Sequence, residues 1–156
     1  MNASPFLAPE EQVLCEVRHA CVIRASRAAC YAKLTTPAGW NAWFTASMFI
    51  ELRPGGAIIF EWKDWGAGNF SGGDHGTILS VEDGVGFEYS WHPDVPEYAT
   101  RVRLALEDHP DGCLLRVLET GFRNDELGLH ALAQSAAGWG EALTLFKFQM
   151  EHGLRY

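Results

Sequence analysis

The last thirty residues, Leu127 to Tyr156, constrain this chain most. Leu132, Ala136, Trp139, Leu143, Phe146 and Met150 recur at steps of four and three, and Ala142 and Leu145 widen the face they mark. Glu141, Thr144 and Glu151 fall opposite. That spacing predicts one long amphipathic helix. From about Met48 to Thr120 the pattern is that of strands. A strand-rich chain that ends in one long helix must cover the helix's apolar stripe. The concave face of the sheet is the surface available, and the space between the two is where a ligand can sit.

The remaining elements follow in order. Val13 to Ile23 alternates and reads as a first strand, after a loosely ordered start over residues 1–12. Ser26 can cap a helix over Arg27 to Leu34. Thr36-Pro37 then stops that helix and starts a second, with Pro37 at the first helical position, where its missing N–H costs nothing. Trp40, Trp43 and Phe44 follow on its apolar side. Six strands come next: Met48 to Leu52, Ala57 to Lys63, His75 to Val81, Val85 to Trp91, Ala99 to Glu107 and Cys113 to Thr120. Short loops between sequential strands imply antiparallel pairing. The glycine-rich run Asp64 to Asp74 reads as a loop, with Gly66 to Gly73 as a flexible flap near a cavity mouth. His92 to Tyr98 reads as a long connection.

The predicted architecture is α+β, in the order β-α-α-β6-α. It forms a single domain over residues 1–156, with a curved antiparallel sheet wrapped around the C-terminal helix.

Composition narrows the function. The net charge of −8, without a basic run, argues against neutralising phosphates and so against nucleic acid. No segment is long enough to span a membrane, and Met1 to Glu16 lacks the features of a signal peptide. A cytoplasmic location is the expectation. Cys15 and Cys21, about 20 Å apart on one strand, are too distant to bridge. All four cysteines read as small buried hydrophobes in a reducing compartment. The six histidines show no H-x-x-x-H pair, and no cysteine pair has zinc spacing, so no metal is expected. There is no nucleophile elbow, phosphate loop or dinucleotide fingerprint, and no cofactor is expected. The oligomeric state is open, a homodimer included.

Several stretches resemble one family. Ser26-Arg27-Ala28, Thr36-Pro37 and Trp40-Asn41-Ala42-Trp43-Phe44 are similar to the helix pair of AHSA1-like (activator of Hsp90 ATPase homologue) proteins, with Ala28 where they usually carry Pro. Pro54-Gly55-Gly56 matches their turn before a long strand. Phe87-Glu88-Tyr89-Ser90-Trp91, Glu119-Thr120-Gly121-Phe122 and Gly138-Trp139-Gly140-Glu141-Ala142-Leu143 are similar to later motifs, in the same order. The resemblance runs from about Glu16 to Gly153. It implies the helix-grip fold of the START/Bet v 1-like (SRPBCC) superfamily and a cavity inside it.

Strand alternation and the helix stripe then place rings around one volume. The expected ligand-binding residues are Trp43, Phe60, Trp62, Tyr89, Trp91, Trp139 and Phe146, with Glu119 as a polar contact. Glu119 alternates inward with Leu115 and Val117, so it needs a partner or a raised pKa. Family proteins more often carry His at its position. His75 and His92, with Asp64 or Asp74, are candidates for a polar rim. The expected ligand is an apolar or aromatic small molecule. The sequence favours binding over catalysis and assigns no catalytic residue. Two alternatives remain: a polyketide cyclase/aromatase-like enzyme using the same cavity, and a co-chaperone-like interaction module. Gly138 and Gly140 flank Trp139, where each costs about 1 kcal/mol of helix propensity relative to Ala. The expected compensation is close helix–sheet approach, or room beside the ring.

Overall fold

The computed structural model describes residues 15–93 and 98–155. The expected loose start, and residues 94–97 of the expected connection, lie outside them. The elements are β1 (Val17–Ile23), α1 (Arg27–Leu34), α2 (Pro37–Asn41), β2 (Ser47–Ile50), β3 (Ala57–Trp65), β4 (Phe70–Glu82), β5 (Gly86–Trp91), β6 (Thr100–His109), β7 (Gly112–Thr120) and α3 (Glu126–His152). Their order is the expected one.

Local chemistry sets the helix ends. The Ser26 hydroxyl accepts the Ala29 amide at 3.1 Å, and that of Thr36 accepts the Gly39 amide at 3.1 Å, each satisfying a first-turn donor. The Trp40 indole donates to the Leu34 carbonyl at 2.6 Å, which fixes α2 against the end of α1. Asp125 caps α3 by accepting the Gly128 amide at 2.8 Å. Gly153 ends α3 at φ 66°, a left-handed conformation that glycine adopts without a side-chain clash.

The strands form one curved, seven-stranded sheet in the order β1-β7-β6-β5-β4-β3-β2. Each neighbouring pair is antiparallel. Phe87 pairs with Leu104 and Tyr89 with Val102, so these four share the inner face. All four are buried, together with Ile58, Phe60 and Ile78 from β3 and β4. On the opposite face Glu88 is 7% exposed and receives Arg101 at 2.8 Å and Arg103 at 3.0 Å. Two guanidiniums compensate one carboxylate against its desolvation. α1 and α2 close one end of the inner face, where Cys30, Leu34, Trp40 and Trp43 join the core with Phe146 of α3.

Two local expectations change. The glycine run is mostly a hairpin rather than a flap. β3 continues to Trp65, β4 begins at Phe70, and Gly72 and Gly73 pair with Trp62 and Glu61. A β-carbon on Gly73 would lie 2.8 Å from the Phe60 carbonyl oxygen, so the glycine permits the close pairing that its composition alone suggested it would loosen. The α3 stripe is also interrupted. Trp139, Ala142, Leu143 and Phe146 are buried, but Leu132 is only partly covered and Ala136 is exposed. In that half of the helix Gly128 and Ala131 are the buried positions instead, and Gln134, Ser135 and Gly138 border a gap in the core.

Candidate functional site

The gap is a hollow of about 870 Å³ between the sheet and α3. Its aromatic wall comes from Phe44, Trp62, Trp65, Phe70, Tyr89 and Trp91. These rings hold one another in place. Phe44 meets Trp62 and Trp65 edge-on, at 5.4 and 5.3 Å between centroids, and Trp62 meets Trp91 edge-on at 6.1 Å. Such edge contacts place the positive rim of one ring on the negative face of another. Phe60 stands behind, stacked on Trp62 at 5.9 Å. Across the gap α3 contributes Gln134, Ser135, Gly138, Trp139 and Glu141.

Of the expected residues, Trp62, Tyr89, Trp91 and Trp139 border the hollow. Trp43, Phe60, Phe146 and Glu119 do not border it and belong to the core around it. Phe44, read from the sequence on the apolar side of the second helix but not among the expected ligand residues, borders it too, as do Trp65 and Phe70, for which there was no expectation. Simple alternation from Trp62 would put Trp65 on the other face, and the register shift between Trp62 and Trp65 is what the sequence did not show. Phe70 carried no signal inside a glycine-rich stretch.

Glu119 is fully buried. One carboxylate oxygen accepts the Thr100 hydroxyl at 2.6 Å, and the other accepts the Trp139 indole N–H at 2.8 Å. Burial raises its pKa, and hydrogen bonds from Thr100, Trp139 and Ser135 partly offset this. Both oxygens are engaged by the protein itself. Glu119 thereby joins β7, β6 and α3, and it touches the hollow through Trp139 and Ser135, which border it.

The polar end of the hollow belongs to Asp74, His75 and His92. One Asp74 oxygen accepts the His75 amide at 2.7 Å and lies 3.0 Å from His92 Nδ1. The other accepts the His92 amide at 3.1 Å. The His75 and His92 rings are 5.6 Å apart. Asp74 thus holds the imidazole by backbone and ring together. With a carboxylate at Nδ1, that nitrogen is the donor, and in the neutral ring Nε2 is then the acceptor. Burial, followed by the charges of Glu119 and Asp74, pushes the Tyr89 phenol well above its ordinary pKa, so it stays neutral.

Among the described residues, Gly138 has no heavy atom within 4 Å of where a β-carbon would sit, and Gly140 has only His19 Nε2 at 3.9 Å. Close helix–sheet approach is therefore not what either glycine serves. Gly138 borders the hollow and leaves room there.

Cys30 and Cys113 are fully buried and share a side-chain hydrogen bond, which together with burial holds the Cys30 thiol protonated. All four cysteines are free thiols. Among the described residues no cluster of three or more potential metal ligands occurs, and no helix is long and apolar enough to cross a membrane.

No curated protein sequence matches the chain. Solved structures do. A protein from Staphylococcus saprophyticus is 17% identical, with a TM-score of 0.72 over 89% of this chain and 93% of its own. The Aha1 dimer from Colwellia psychrerythraea is 20% identical, with a TM-score of 0.68 over 88% and 97%. CalU16 from Micromonospora echinospora is 22% identical, with a TM-score of 0.65 over 87% and 73%. At these identities the likeness establishes the helix-grip fold. The family model described as activator of Hsp90 ATPase homolog 1-like protein matches residues 24–151, and on that match the chain belongs to the AHSA1-like family.

Proposed function

We propose that the protein binds an apolar or aromatic small molecule in the hollow between the sheet and α3. The observation that carries this is the hollow itself, about 870 Å³, with six aromatic residues on its sheet side and Trp139 facing them from α3. Ligand sites typically measure roughly 300–1,000 Å³ and combine apolar walls with a few placed polar groups. A ring system inserted there would exchange water for aromatic contacts, at roughly 25 cal/mol per Å² of apolar area before the costs of ordering. Gln134 and Ser135 of α3 also border the space, so a ligand would meet the helix and the sheet together.

The test is calorimetric titration with naphthalene-sized aromatic probes, alongside melting curves. Binding raises the melting temperature, and Gly138→Leu, which fills the room beside Trp139, weakens it at least fivefold. If no probe binds or shifts melting, the reading fails.

A further inference from the structure

We propose that the hollow selects an aromatic ligand carrying a weakly acidic hydroxyl, which donates its hydrogen to Nε2 of His92 while Asp74 holds the ring from behind. The proposal rests on the binding reading above and adds the chemistry of the ligand's polar end.

The argument starts from the acceptors available. Asp74 borders the hollow, but its oxygens already receive two backbone amides and the imidazole. It positions His92 and has little left to offer a ligand. His92 is fastened at its amide and at Nδ1, and its Nε2 has no hydrogen-bond partner among the described residues. An imidazole with a carboxylate behind it is a stronger acceptor than a free one, because the carboxylate offsets the positive charge that develops on the ring. Its complement is an O–H that gives up its hydrogen readily, as in a phenol or enol.

Charge narrows the class further. No Lys or Arg is among the described residues that border the hollow, whereas Asp74 and Glu141 are. A carboxylate or phosphate ligand would meet that negative charge without a Lys or Arg among the described lining residues to receive it. A neutral hydroxyl avoids that penalty. The flat body of such a ligand fits the ring wall of Trp62, Trp91 and Phe70, which lies in the same hollow as His92.

The experiment compares 2-naphthol with 2-methoxynaphthalene, which has the same ring body but no donor, by isothermal titration calorimetry at pH 8. Wild-type protein binds the naphthol about tenfold tighter, the effect of one hydrogen bond to a charge-backed acceptor. His92→Phe removes the acceptor and reduces that ratio to about two or less, whatever the new ring adds to both affinities. Retained methoxynaphthalene binding shows that the variant is folded. Asp74→Ala lowers the ratio too, with His92 still present, as expected of a positioning residue. Equal wild-type affinities, or a ratio that survives His92→Phe, overturns the proposal and leaves the binding reading intact. Tighter binding of phenyltrimethylammonium than of 2-naphthol also overturns it, in favour of a cation held by the rings. If none of the three probes binds, the ligand reading fails, and this proposal with it.

Discussion

Glu119 and Asp74 are both carboxylates whose charge reaches the Tyr89 phenol, yet they are held in different ways. Glu119 is fully buried, and its oxygens take donors from β6 and α3, 19 and 20 residues away. The Asp74 side chain is 18% exposed, and its oxygens take two amides and the imidazole of His92. The first arrangement uses every acceptor to join three elements. The second uses them to orient a ring that still has a free nitrogen. A carboxylate whose two oxygens are both closed off inside the core is a joint. One that fixes another polar side chain leaves that side chain available to a ligand.

The sharpest way to break this comparison is to remove each carboxylate in turn. Glu119→Ala strands the Trp139 N–H in a buried setting and opens a gap beneath α3, and urea unfolding should show a loss of about 2–3 kcal/mol. A loss under about 1 kcal/mol would mean that Glu119 is no joint. Asp74→Ala should cost about 1 kcal/mol, since the amides it leaves lie near the surface and can turn to water. A loss as large as that of Glu119→Ala would erase the distinction.

A smaller effect of opposite sign is expected on α3. Gly138→Ala should stabilise by about 0.5–1 kcal/mol, because it restores helix propensity and meets no neighbour. Destabilisation in melting curves would show that the open space beside Trp139 is not there.

The subtlest test is a slope. Burial gives Glu119 a folded-state pKa above the unfolded value of about 4.5. The folded protein therefore binds this proton more tightly than the unfolded chain. Its contribution to stability is fully present below the unfolded pKa and is lost as pH rises through the folded one. Glu119→Gln can still accept from Trp139 and keeps its contact with Thr100, and it removes the titration. Urea titrations from pH 4 upward should show that component of the slope in the wild type and not in Glu119→Gln. Parallel curves would contradict the raised pKa.

Much of the fold was legible because its determinants are local. Ser26, Thr36-Pro37 and the alternation of Phe87, Tyr89 and Trp91 act within a few residues of chain. The hairpin at Gly72 and Gly73 was not legible, since glycine content looks the same in a flap as in a tightly paired strand. The difference is the Phe60 carbonyl on the neighbouring strand. In the site, alternation pointed Glu119 and the rings inward correctly, but inward covers both core and hollow. Trp62 and Phe60 share a face, and only the first borders the hollow.

By itself, the sequence determined a seven-stranded sheet gripping one long helix, with an interior rich in rings. Periodicity and capping suffice for that, because backbone hydrogen bonding and side-chain direction repeat along each element. The tertiary structure decided which rings meet empty space, which carboxylate is saturated, and that Asp74 lies against His92. These contacts depend on how strands 18 or more residues apart come into register. The antiparallel β4–β5 pairing, register irregularity between Ile78 and Ser80 included, is long-range, and the Asp74–His92 contact lies beyond its Ile78–Tyr89 end.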